Sequence, residues 1–202
     1  MNRYLMMITL FFAFIGLSQA KEKSLSYQVE WFKGSVQVNG TQVKKKQILR
    51  RGELLQTLSK SIVKISNLSD KRKITLGPES KLRIPIKEQN PVTLQKGTLR
   101  WISGKVIKKL SDGKKNMVVT QNASMGVRGT DFFIKYGPLL NESEIVVFSG
   151  EVLFKSNQNK SDKVSLKERF WGGIGGRYGE KIGKTIKLPD HIVRHFQQSL
   201  PR

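Results

Sequence analysis

Gln121-Asn122-Ala123-Ser124-Met125-Gly126-Val127-Arg128-Gly129-Thr130-Asp131-Phe132-Phe133-Ile134-Lys135-Tyr136-Gly137 is the stretch around which the rest of the chain is organised. Val127-Arg128-Gly129-Thr130 reads as a tight turn feeding an apolar strand that starts at Phe132 and runs to Tyr136. Gly129 stands where a reversal wants positive φ, which costs a residue without Cβ little. Thr130 and Asp131 have short side chains that bond back to nearby amides, a habit of turn residues. The assignment of these residues is structural, and Asp131 with Arg128 is expected to make a turn-stabilising contact rather than a catalytic pair.

Outward from this stretch the pattern is one of short strands. Leu25, Tyr27, Val29 and Trp31 alternate with polar residues and predict one buried face of a strand. Val36 to Val43 reads as a hairpin, because Asn39-Gly40 tolerates the positive φ of a type I′ turn. Further strands are expected at 53–57, 61–66, 73–76, 81–86, 92–95, 98–102, 117–120, 132–136, 145–148 and 151–155. Gly-Pro, Asn-Pro, Ser-Asp-Gly and Ser-Gly steps punctuate them, as in all-β domains. A short helix is conceivable at 104–110. A Gly followed by a polar residue and an aliphatic recurs at Gly34, Gly52, Gly97 and Gly150, each a turn feeding a strand. The uneven intervals exclude a fixed-period solenoid; irregular β-helix-like coils and a sandwich both remain open.

The 202 residues suit one domain with appendages. Charge is the outlier, with 37 Lys and Arg against 15 Asp and Glu, formally +22. Such a chain attracts polyanions. There is no Cys, which excludes disulfides, thiol catalysis and Cys-ligated metals. Arg3, the apolar run Leu5 to Leu17 and Ser18-Gln19-Ala20 read as an export signal cleaved after Ala20. The run is short for a span of roughly 20 residues, so no integral membrane segment is expected after cleavage. Loss of residues 1–20 removes Arg3 alone and leaves +21.

Val127-Arg128-Gly129-Thr130, then Asp131 and Phe132, resembles the signature of the FecR domain family of bacterial envelope proteins. Other segments extend the resemblance in order from about residue 30 to 155: Gly52-Glu53-Leu54-Leu55-Gln56-Thr57, Ile62–Ile65, Ile74–Ser80, Leu94–Leu99 and Val146–Val152. The resemblance implies an all-β, FecR-like domain and an envelope compartment, and it implies no catalytic act. The chain departs from the family pattern at Gln121, where Pro is usual. Neither the anti-sigma segment nor the receptor-binding C-terminal domain of signalling members is expected in it, so anti-sigma activity is not expected.

The expected organisation is a signal peptide at 1–20, a FecR-like β domain at 21–165 and a Gly-rich basic tail at 166–202. In the tail, Pro189 fits the first turn of a short helix, and Ile192, Val193, Phe196 and Leu200 share an apolar face. That face either docks on the β domain or meets a partner, so Ile192, Val193 and Phe196 are the candidate partner contacts. His191 and His195 stand at i, i+4, but a zinc hydrolase motif needs Glu where Ile192 stands. Tyr178 occupies the position where a phosphate loop or a dinucleotide fingerprint needs Gly. The scarce carboxylates form no pair that suits acid–base catalysis. The expectation is therefore a non-enzymatic, exported envelope protein, periplasmic or secreted, with no cofactor and no metal. It would contact an unknown envelope protein or ligand, and bind polyanions weakly and nonspecifically. The alternative is a basic surface protein whose function is polyanion binding.

Overall fold

The computed structural model describes residues 26–87, 90–103 and 117–200, leaving out the side chain of Arg128. The expected signal segment with Ala20 and the helix expected at 104–110 lie outside the described residues, as do Lys105, Lys108, Lys109, Lys114 and Lys115. Among the described residues the fold is all-β, with a single short α-helix near the C-terminal end. In chain order the strands are β1 (Tyr27–Lys33), β2 (Val36–Val38), β3 (Thr41–Gln42), β4 (Ile48–Leu49) and β5 (Leu54–Thr57). There follow β6 (Ile62–Asn67), β7 (Lys73–Leu76), β8 (Lys81–Arg83), β9 (Val92–Ile102) and β10 (Met117–Val119). The last are β11 (Ala123–Gly137), β12 (Glu142–Ser156), β13 (Lys163–Lys167), β14 (Phe170–Ile174) and β15 (Ile186–Lys187), before helix α1 (Asp190–Ser199).

All fifteen strands belong to one hydrogen-bonded sheet, and the sheet is folded over on itself. The N-terminal half of β9 pairs with β8 and β10, while its C-terminal half pairs with β7 and β11. Likewise β12 pairs with β14 through its first residues and with β13 through its last. The result is two leaves. The first runs β3-β2-β5-β8-β9-β10-β11-β12-β13, and the second runs β4-β1-β6-β7-β9-β11-β12-β14-β15. Side chains from both enclose one core, including Leu55, Leu82, Met125 and Phe154 from the first leaf and Ile65, Leu99, Trp101 and Phe132 from the second.

The recurrent Gly steps are explained by the fold in the leaves. Gly97 and Gly150 do not reverse the chain; each is a corner inside one long strand. Gly97 has φ +91, and a Cβ there would lie 2.6 Å from Ser80 Cα. A corner breaks the ladder, and hydroxyls take up the freed amides: Ser35 N–H donates to Ser61 Oγ, Ser80 N–H to Thr57 Oγ1 and Thr98 N–H to Ser80 Oγ, each at 2.9 Å. Buried amides left unpaired would be costly, so Ser and Thr at the corners are structural residues. The strands expected at 92–95 and 98–102 are thus one strand, as are those at 145–148 and 151–155.

Two other expectations are corrected. Val127-Arg128-Gly129-Thr130 is not a chain reversal: β11 runs through it, with a register shift against β12 between Arg128 and Asp131. It is a bulge, in which one strand has extra residues and bends, and Gly129 has φ +58. In β1, Tyr27 and Val29 face the core, but a register shift between Val29 and Trp31 turns Trp31 outward, 44% exposed. The Asn39-Gly40 hairpin joins β2 and β3 with both residues at positive φ.

The sheet also continues past residue 165. Phe170–Ile174, within the Gly-rich run, pairs with β12, and Trp171 packs edge-on to Tyr178 at 5.0 Å. Asn122 Nδ2 donates to the carbonyls of Asn141 and Ile174, so the residue just before β11 ties down the end of β14. Gln121, the departure from the family pattern, accepts a hydrogen bond from the Tyr136 hydroxyl at 3.0 Å.

Candidate functional site: the apolar face beneath the terminal helix

Alternation along a strand sends every second residue out of the core. On the second leaf those outward residues are Arg100 from β9, Asp131 and Phe133 from β11, and Val146 and Phe148 from β12. Phe133, Val146 and Phe148 form a second apolar cluster, separate from the main core, which is covered by Val193 of α1 and by Leu200 just past its end. Phe196 packs on Phe133 with ring centroids 5.2 Å apart, and Leu188 and Trp171 border the patch.

The helix is weakly specified by its own sequence. Pro189 precedes the first turn with φ −62 and ψ 152, and no side chain caps the N-terminus. Asp190 in the first turn suits the helix dipole and pairs with Arg169 at 2.9 Å. The last turn contains no basic residue of its own. Ten residues do not make a stable isolated helix in water, so α1 depends on what it packs against.

Arg100 supplies the missing C-terminal cation from the sheet. Its Nη1 donates to the carbonyls of Gln197 at 3.0 Å and Leu200 at 2.7 Å. Its Nε and Nη2 donate to the two carboxylate oxygens of Asp131 at 2.9 and 2.8 Å. The two side chains are only 3% and 5% exposed, and the guanidinium lies 5.0 Å from the centre of the Phe148 ring. A bidentate Arg–carboxylate pair is both strong and directional. Asp131 therefore orients Arg100, and Arg100 grips the end of α1. Arg100, Arg194, Gln197 and Gln198 line an open groove beside that end.

The residues singled out in the sequence fall as follows. Val127 and Phe132 are core residues, with Phe132 stacked on Trp101 at 6.2 Å. Thr130 is buried, its N–H donating to Ser103 Oγ at 3.1 Å and its carbonyl accepting from Ser103 N–H at 2.8 Å. Its own hydroxyl finds no hydrogen-bond partner among the described residues. Val193 is buried, Ile192 and Phe196 are half-buried, and His191 and His195 are exposed. Arg100, Phe133, Val146 and Phe148 are the residues that sequence reading missed. Their signal was present in the unbroken apolar runs Phe132-Phe133-Ile134 and Ile145-Val146-Val147-Phe148, since a strand apolar on both faces is covered on both faces.

The family model described as FecR protein matches residues 53–153, from the start of β5 into β12. The chain belongs to the FecR family. Arg100 and Asp131 lie inside the matched FecR region and α1 lies outside it, so the ion pair joins the two. No curated protein matches the chain. Among solved structures, two crystal structures of a candidate anti-sigma factor from Parabacteroides distasonis ATCC 8503, at 2.50 and 1.65 Å resolution, are similar in fold. They share 17% and 16% identity with TM-scores of 0.56 and 0.55, each covering 72% of this chain. The chain spans 64% of the length of those proteins. Among the described residues no helix is long and apolar enough to cross a membrane.

Proposed function

We propose that this FecR-family chain is a non-enzymatic interaction module of the bacterial envelope, exported with cleavage after Ala20, that engages a protein partner through α1. The observation that carries this reading is the helix's dependence on one borrowed contact. Its apolar residues Val193 and Phe196 rest on Phe133, Val146 and Phe148, and its C-terminal carbonyls are held by Arg100. A marginal amphipathic helix of this kind can exchange its own sheet for a groove on a partner, with Ile192, Val193 and Phe196 as anchors. The buried ion pair supports the same view: Asp131 holds Arg100, and Arg100 holds the helix end.

Salt dependence and truncation together test it. Partner binding from the envelope should depend weakly on ionic strength and fall sharply with Phe196→Ala, because buried anchors dominate interfaces. Charge reversal at Lys44, Lys45 and Lys46 should leave it intact. Loss of the partner on charge reversal, with retention in Phe196→Ala, would replace this reading by the polyanion-binding one.

A further inference from the structure

The outer face of the first leaf is opposite in character to the face beneath α1. Strand register there aligns side chains in rows across the strands. One row passes from Arg83 through Thr93, Val119 and Ser124 to Lys155 and Lys163. A neighbouring row brings Gln37, Gln56, Lys81 and Lys96 into line. Two pairs of lysines are therefore direct cross-strand neighbours, Lys81 with Lys96 and Lys155 with Lys163. Like charges placed directly opposite destabilise a sheet. Among the described residues none of these four lysines forms an ion pair. Glu151 on the same face accepts a hydrogen bond from the Ser165 hydroxyl instead, and Arg83 also donates to the Gly52 carbonyl at 3.0 Å.

Protection of an open sheet edge explains Lys163 and Lys167 on β13, but not Lys81, Lys96 and Lys155 on interior strands. Between the cations the face carries half-buried Leu54, Met117, Val119 and Leu153. These rows hold no aromatic residue on which nucleic-acid bases could stack. Arg83 and Lys155 are four strand spacings apart, about 19 Å, so the face is broad rather than groove-like.

We infer that this face docks on the surface of a bilayer rich in anionic phospholipid, with the lysines meeting headgroup phosphates and Leu54, Val119 and Leu153 seated between them. A flat array of cations with interleaved aliphatics fits an extended anionic plane, and that plane relieves the Lys–Lys repulsion. The site is separate from α1 and shares with the proposed function only the envelope setting.

Flotation of the full chain with phosphatidylglycerol-containing vesicles and with pure phosphatidylcholine vesicles tests this. The readout is the ratio of the two partition coefficients, which cancels any equal contribution of the apolar residues 5–17. Each basic residue at such a surface is worth about fivefold, so Lys155→Gln with Lys163→Gln should lower the ratio about 25-fold. Lys44→Gln with Lys45→Gln changes net charge equally and should leave it within about threefold. The Tm of the Lys155→Gln, Lys163→Gln variant should hold or rise, since a like-charge pair is removed. Equal losses in both variants, or no preference of the wild type for anionic vesicles, would overturn the inference. So would a DNA duplex that binds the wild type more tightly than the vesicles do and loses affinity in the Lys155, Lys163 variant, which would assign the face to nucleic acid.

Discussion

Replacing Asp131 by Ala strips Arg100 of the carboxylate that takes two of its hydrogen bonds, at 2.9 and 2.8 Å, and leaves a guanidinium that is almost wholly buried. Breaking one side of a buried pair typically costs about 3–5 kcal/mol, because the surviving charge is uncompensated. Arg100→Met should cost a similar amount, through the two hydrogen bonds lost to Asp131 and the released carbonyls of Gln197 and Leu200. The double variant removes both partners of the pair, so its loss should fall short of the sum by about 2 kcal/mol or more. Urea denaturation of the four proteins reads this directly. With a slope of about 2 kcal/mol/M, each single variant shifts the midpoint down by about 2 M. Trypsin should also cut at Arg194 sooner in both single variants, since α1 has lost its anchor. Additive losses, or an Asp131→Ala variant within about 0.5 kcal/mol of wild type, would refute the coupling between the Arg-Gly-Thr-Asp bulge and the helix.

Three further outcomes follow from the geometry. Gly150→Ala should destabilise by about 2 kcal/mol or more by thermal or urea unfolding, since φ is +83 and the new Cβ would sit 2.7 Å from Gly129 O. Thr130→Val should be neutral to mildly stabilising in the same assay, because the buried hydroxyl it removes makes no hydrogen bond among the described residues. Burial raises the Tyr27 phenol above its ordinary value, against the opposing pull of nearby Arg72. The unfolded chain therefore loses its phenolic proton first, so stability from this group is complete below about pH 10. It is lost as pH climbs through the raised value, and the alkaline decline in unfolding free energy should be shallower in Tyr27→Phe.

Much of the β architecture was legible because its signals are local. Alternation marks Tyr27 and Val29 as inward, and Asn39-Gly40 names its own turn. The corners were not legible, because a Gly with positive φ looks the same in sequence whether the chain reverses or bends. Only the pairing of β9 and β12 on both sides of Gly97 and Gly150 distinguishes the two. The bulge at Arg128–Asp131 was mistaken for a turn for that reason, and the Trp31 side chain was misplaced by a one-residue bulge that flips everything after it. At the candidate site, the apolar face of α1 was visible in the spacing of Ile192, Val193 and Phe196. Arg100 was not, because its role rests on contacts about 31 and 100 residues away in sequence.

The most direct test of the proposed function places a photoreactive residue at position 196 of the full chain in its native envelope, with position 37 on the opposite leaf as the control. Irradiation should give a discrete adduct with another protein from position 196 that persists in high salt, and no protein adduct from position 37. The yield should rise in an Arg100→Met background, where the helix is released more often. Adducts from position 196 that join only the chain's own sheet in both backgrounds, alongside a salt-sensitive protein adduct from position 37, would contradict the proposed function.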